Sequence, residues 1–170
     1  MYKIAFSGAH GTGKTTSVAD TFYNLKIKHP NKTITIICET AKECPFKINK
    51  DGDLTSQFWI FNKQMLREIE ASNSYDIVIS DRSVIDNIAY MRYLGYENQS
   101  EHLLEIAIDF MYTYNKINFK SIENNNFFFK DGVRDSKDIQ YRKDIDRILL
   151  ELYEKIFQKI PNSREIFSIN

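Results

Sequence analysis

Eight residues near the start of the chain, Gly8-Ala9-His10-Gly11-Thr12-Gly13-Lys14-Thr15, satisfy the pattern G-x-x-x-x-G-K-[ST] at every position. Their types suit one task, the holding of a chain of phosphates. The glycines let the backbone curl so that successive amides point inward as an anion nest. A helix beginning near Lys14 adds its N-terminal dipole and its unpaired N–H groups. The Lys14 ammonium reaches the outer phosphates, and the Thr15 hydroxyl is suited to ligand a magnesium ion. Ala9, His10, Thr12 and Thr16 complete the set expected around the phosphates, with His10 at a freely varying position on the outer surface of the loop.

Two carboxylates follow apolar, β-branched runs. Asp81, in Ser80-Asp81-Arg82-Ser83, comes after Ile77-Val78-Ile79, and Glu39 comes after Thr33-Ile34-Thr35-Ile36-Ile37-Cys38. A carboxylate at the end of the strand beside a phosphate loop is placed to hold magnesium; the bland reading makes Asp81 an N-cap of the following helix, and the two roles coexist. Glu39 then orients or deprotonates an acceptor hydroxyl, unless it is simply an exposed carboxylate at a strand end. Arg82 binds a phosphate or an acceptor group, or pairs with a surface acid, and Lys42 binds the acceptor or is solvated. Further on, Lys130-Asp131-Gly132-Val133-Arg134-Asp135 reads as a mobile lid. Its Arg134 would swing over the phosphates and help exclude water, against the alternative of a turn residue on a solvated loop. Arg142 is a weaker second candidate for the same task.

These residues need a scaffold that brings strand ends together, and the rhythm of the chain supplies one. Short β-rich runs alternate with longer helical periods, which implies an α/β protein with a parallel five-stranded sheet flanked by helices in three layers. Strands are expected at 2–7, 33–38, 75–80, 127–129 and 164–169. Helices are expected at about 14–28, from Leu54 through Ile69, at 83–94, 100–117 and 138–160, the third closed by Gly95 as a C-cap. The second helix should turn Leu54, Phe58, Phe61, Met65 and Ile69 to the core. The two helical periods between the third and fourth strands form a helical layer over one end of the sheet. Ligands of such sheets bind at the carboxyl ends of the strands, where the residues above lie. No repeat or linker interrupts the 170 residues, so one domain is expected, with its lid at 130–137.

Composition excludes several classes. Hydrophobic residues make up 42% and charged residues 27%, an ordinary globular balance. Lys plus Arg and Asp plus Glu both number 23, so the basic excess of a nucleic-acid-wrapping protein is missing. No apolar run is long enough to cross a membrane. The first strand enters the glycine-rich turn directly, leaving no room for a signal peptide, and a cytoplasmic address is expected. Cys38, inside an apolar run, reads as a small hydrophobe, and Cys38 with Cys44 offers no zinc spacing.

The phosphate loop, Glu39, the Asp81-Arg82-Ser83 triplet and the Asp131-Gly132-Val133-Arg134 lid together resemble the small P-loop nucleoside and nucleotide kinases. The nearest resemblance is to the AAA-type ATPase family that includes the ribosylnicotinamide kinase domain. The Asp-Arg-Ser triplet is also similar to the Asp/Glu-Arg-Ser motif of deoxynucleoside kinases and the related motif of thymidylate kinases. The resemblance implies a three-layer P-loop NTPase fold and transfer of a phosphoryl group from ATP, with Mg2+, to a hydroxyl of a nucleoside-like small molecule. It leaves open a regulatory ATPase switch, a nucleoside monophosphate kinase and a polynucleotide end kinase, and it is compatible with a homodimer. It also implies an acceptor pocket under the second helix, where a glutamine reads a base edge and aromatics stack. Gln57 and Trp59 are the candidates there, while Phe58 and Phe61 fit the core.

Overall fold

The computed structural model describes residues 1–123 and 139–169. In chain order these form β1 (Tyr2–Ser7), α1 (Lys14–Lys28), β2 (Ile34–Ile37), α2 (Leu54–Ser74), β3 (Ile77–Asp81), α3 (Val84–Tyr93), α4 (Glu97–Met111), β4 (Lys116–Phe119), α5 (Ile139–Lys159) and β5 (Phe167–Ile169), with short 3-10 turns at Thr40–Glu43, Asn49–Asp51 and Pro161–Arg164. The strands make one parallel sheet in the order β2-β3-β1-β4-β5. The α/β, five-stranded parallel architecture expected from the sequence is therefore present.

Strand alternation sorts the core into two faces. From β1, Ile4 and Phe6 join Ile77, Ile79 and Val18 beneath α1, while Ala5 points the other way, into the large cluster built with α3, α4 and α5. Val78 in turn packs with Ile37 and Ala71 under α2. All of β3 is buried, as befits a strand covered on both faces. Burying each large aliphatic or aromatic side chain contributes about 1.5–3 kcal/mol, so the α3–α5 face dominates the stability.

Three expectations need correction. The helix expected at 100–117 ends at Met111, and the fourth place in the sheet belongs to β4. The chain turns after α4, where Thr113 N–H donates to Phe110 and Tyr114 N–H to Met111. Asn115 then starts the ladder: its N–H donates to the Lys3 carbonyl at 2.9 Å, and its Oδ1 accepts from Lys3 N–H at 2.8 Å. The strand expected at 127–129 lies outside the described residues. Secondly, Cys38 is exposed, because β2 ends one residue earlier. Thirdly, α2 is rotated about its axis relative to the apolar stripe: Phe58 and Ile69 are exposed, Phe61 is buried, and the inward face is Ser56, Gln57, Ile60, Phe61, Gln64, Glu68 and Ala71. Most of that face is polar, and the reason lies in the site above it.

Candidate phosphate-binding and acceptor site

Residues 8–13 connect β1 to α1 at the carboxyl edge of the sheet, at its centre. Gly8, Gly11 and Gly13 all have positive φ. Gly8 has the strictest need: at φ 141° a Cβ would stand 2.4 Å from the Lys120 carbonyl oxygen, on the backbone that follows β4. Gly8→Ala is expected to destabilise the fold by about 3 kcal/mol or more. A thermal melt should show a fall of at least about 6 °C. A melt within a degree or two of wild type would mean that the loop has room to move.

The start of α1 differs from the starts of α2 and α3. Asp53 caps α2 by accepting from Ser56 N–H, and Ser83 and Asp86 form a reciprocal capping box on α3. Gly13 gives α1 no side-chain cap. The positive end of α1 is thus left to whatever anion enters the loop.

Lys14 is buried, with Nζ 2.6 Å from the Ala9 carbonyl and 3.3 Å from Thr12 Oγ1. Burial, then the neighbouring Arg82 charge, lower its pKa from 10.5 to about 7, and Asp86, Asp81 and Glu39 only partly offset this. The Thr15 hydroxyl donates to Asp81 Oδ2 at 2.5 Å. A hydroxyl and a carboxylate side by side are hard oxygen donors of the kind magnesium takes, so the pair fits that ion. Among the described residues no cluster of three His, Cys, Asp or Glu side chains could hold a metal, so phosphate oxygens and water would complete its shell. Asp81 belongs to β3, and the N-cap of α3 is Ser83.

Arg82 joins the elements together. Its backbone has φ 108°, a region that costs a non-glycine residue about 1–3 kcal/mol unless surrounding contacts impose it. Those contacts are present: Nε donates to Glu39 Oε1 at 2.8 Å, and Nη1 to the Gly8 carbonyl at 3.2 Å and Asp86 Oδ1 at 3.3 Å. Burial works against the guanidinium charge, but Tyr90, Glu39, Asp86 and Asp81 outweigh it and hold its pKa above the ordinary value. Asp86 also accepts from Gly8 N–H at 3.0 Å, so the start of α3 grips the start of the phosphate loop.

One cavity is lined by His10 through Thr16 of the loop together with Glu39, Lys42, Asp81 and Arg82. A second adjoins it under α2, lined among others by Thr40, Gln57, Gln64, Ser83, Asn87 and Tyr90, and it shares Arg82 with the first. The structure therefore brings Lys14, Thr15, Glu39, Lys42, Asp81 and Arg82 together, and places Gln57 next door. Lys42 is exposed, its Nζ 3.6 Å from Glu39 Oε2. Trp59 is half-buried and lines neither cavity; Tyr90 supplies the aromatic ring. Arg134 lies outside the described residues. His10, expected on the outer surface, is buried, its ring 5.1 Å from that of Tyr141. Arg142 is also buried and lies under the loop: it donates to the carbonyls of His10 and Gly11 at 3.0 and 3.1 Å.

Sequence reasoning missed Asp86, Asn87, Gln64 and Tyr90. Asp86 carried a signal, the Ser83-x-x-Asp86 spacing of a capping box. The others carried none, because helical position alone does not reveal a cavity.

A parallel sheet with a glycine-rich loop between its central strand and the first helix, and an acidic residue on the neighbouring strand, defines a P-loop nucleotide-binding domain. The chain matches the AAA domain family over residues 3–161, and it belongs to that family. No curated protein matches it in sequence. Among solved structures it is similar to a thymidylate kinase from Ehrlichia chaffeensis, with a TM-score of 0.64 and 18% identity over 99% of this chain and 85% of the other. It is also similar to the deoxyadenosine kinase of M. mycoides with bound dATP, with a TM-score of 0.65 and 16% identity over 100% and 90% of the two chains. The thymidylate kinase of Candida albicans gives a TM-score of 0.59 and 13% identity over 99% and 82%. At these identities the likeness is one of fold.

Proposed function

We propose that the protein is an ATP-dependent kinase that transfers a phosphoryl group to a hydroxyl of a nucleoside-like small molecule. The observation that carries this reading is the junction of the two cavities. The phosphate loop lines one, amide and aromatic side chains line the other, and Arg82 lines both, with its partner Glu39 on the phosphate side. A domain that only hydrolysed ATP would have no use for the second. Similarity to structures named as thymidylate and deoxyadenosine kinases supports the same class.

In this reading the loop amides and Lys14 hold the donor phosphates. Thr15 and Asp81 hold Mg2+, which when bound offsets phosphate charge. Arg82 orients the phosphoryl group between donor and acceptor. Glu39 takes the acceptor hydroxyl proton as the new O–P bond forms and the bond to the ADP oxygen breaks. Lys42 steers anionic groups at the cavity mouth, and Arg134 closes over the phosphates as a lid. In the acceptor cavity Asn87 Nδ2 donates to Gln57 Oε1 at 2.7 Å, whereas Asn87 Oδ1 is buried and has no partner among the described residues. A buried acceptor of this kind calls for a donor on the ligand, which a nucleobase amino or imino group supplies. Residues 1–170 act as one catalytic domain. Two free cysteines suit the cytoplasm, and among the described residues no helix is long and apolar enough to cross a membrane.

The test is turnover of MgATP against nucleosides, nucleoside monophosphates, nicotinamide riboside and a 5′-hydroxyl oligonucleotide. At least one nucleoside should yield its monophosphate with matching ADP. Free phosphate as the sole product, whatever the acceptor, would make the protein an ATPase switch. Labelling of the oligonucleotide alone would make it an end kinase.

A further inference from the structure

The polar face of α2 contains a charge pair that the phosphate chemistry does not use. Lys3, on β1, and Glu68, on α2, have side chains 1% and 0% exposed, and Lys3 Nζ lies 3.0 Å from Glu68 Oε2. Lys3 also sits over the rings of Phe110 and Tyr114, at 4.2 and 4.4 Å from their centroids. Burying such a pair is expensive, and an apolar pair of similar volume is often as stable or more so. Its hydrogen bonds lead to the site. Glu68 Oε1 accepts from Gln64 Nε2 at 2.8 Å and from the Tyr114 hydroxyl at 3.0 Å. Gln64 Nε2 also donates to Ser80 Oγ at 2.8 Å and lies 3.4 Å from the Arg82 carbonyl. Its Oε1 accepts from Thr40 Oγ1 at 2.5 Å.

An ionised carboxylate only accepts, so Glu68 decides which way the Gln64 amide faces: nitrogen inward, oxygen towards Thr40. Thr40 follows Glu39 and opens the 3-10 turn Thr40–Glu43. The one amide thus touches both sides of the Glu39–Arg82 pair, through Thr40 on one and the Arg82 carbonyl on the other. We propose that Glu68 is a positioning residue: through Gln64 and Thr40 it fixes the turn that presents Glu39 to the phosphates, with Lys3 as its buried partner. Only the kinetic consequence of this rests on the kinase reading; the structural one does not.

Lys3→Met/Glu68→Leu removes both charges together, and with them the oxygen that accepts from the Gln64 amide, and so avoids an orphaned buried ion. Thr40→Val removes only the last hydrogen bond of the chain and serves if the double variant fails to fold. Hydrogen exchange of the free protein reads the effect. The amides of Lys42 and Cys44, bonded to the Glu39 and Ala41 carbonyls, should exchange about tenfold faster in either variant, the consequence of losing one hydrogen bond of average net strength. Val78 and Ile79 in the sheet should be unchanged. Combining the variants should add nothing, since both cut the same chain, and Thr40→Ser should recover much of what Thr40→Val loses. Turn amides that do not change, that change only in step with the sheet, or that respond additively would overturn the proposal. With MgATP and the best nucleoside of the panel, kcat should fall about tenfold while the KM for ATP holds. A fall in kcat without faster turn exchange would also overturn it. Absence of any nucleoside turnover in the wild type would instead sink the kinase reading and leave the exchange result to decide on Glu68.

Discussion

Lys14→Met is expected to abolish phosphoryl transfer, by at least about a thousandfold, and to make the ligand-free protein more stable at pH 7. The two effects share one cause. Burial and the Arg82 charge lower the lysine's pKa from 10.5 to about 7, so its ammonium is costly without a phosphate beside it. The sign follows from proton linkage. Between pH 7 and 10.5 the unfolded chain binds the proton more tightly than the folded one, so this group's penalty is full below about pH 7 and fades as pH rises towards 10.5. The penalty is at most about 5 kcal/mol. Methionine also forfeits the bonds to Ala9 and Thr12, worth about 1–2 kcal/mol together, although Thr12 Oγ1 still donates to the Ala9 carbonyl at 3.0 Å. With an allowance for relaxation about the buried ammonium, a net gain of about 2 kcal/mol raises the melting temperature by about 4–8 °C. Melts from pH 7 to 10 in EDTA should show the gap closing as pH rises. A variant less stable than wild type at pH 7 would mean that Lys14 is comfortable in the empty loop, and normal turnover would remove the loop from the chemistry.

The sheet and the phosphate loop were legible in the sequence because local patterns encode both. The glycines must adopt positive φ, lysine and threonine must follow them, and a β-branched run such as Ile77-Val78-Ile79 can bury both faces. The strand β4 was hidden for a complementary reason. Lys116-Ile117-Asn118-Phe119 alternates polar and apolar residues, yet Asn118 is buried, 3.0 Å from the Ser168 hydroxyl of β5. Its half-polar composition extended the preceding helical period, while Phe127-Phe128-Phe129 drew the strand assignment. The face of α2 shows the limit of periodicity most clearly. The apolar stripe through Phe58 and Ile69 is genuine, but Gln64 and Glu68 find their partners on β1, β3 and the turn after β2. Such partners, distant in sequence, convert a polar stripe into an interior one, and no window along one helix contains them. The same holds for Arg142, the weaker second candidate for the lid, which α5 holds to the loop carbonyls.

Glu39→Gln carries the second large effect. If Glu39 accepts the acceptor's proton, its amide should lower kcat by about 10²- to 10⁴-fold and leave the KM for ATP within about threefold, because the side-chain partners described for it are Arg82 and Lys42, not the loop amides. A rival account makes Glu39 only the counter-ion of Arg82. Removing one partner of a buried pair costs up to about 3–5 kcal/mol, but Arg82 would keep Asp86 Oδ1 and the Gly8 carbonyl, and the glutamine oxygen can still accept from Nε. The stability loss should thus be modest, about 1–2 kcal/mol, or about 2–8 °C in the melt. The accounts part on pH. A lost base removes the acidic limb of the kcat profile, whereas a lost counter-ion lowers the whole profile and preserves its shape. They part again on Glu39→Asp, which keeps a base but shortens its reach: kcat should recover in part while the bond to Arg82 lengthens. If Glu39→Gln instead loses ATP binding and regains full kcat at saturation, Glu39 belongs to the donor site, and another group must take the proton.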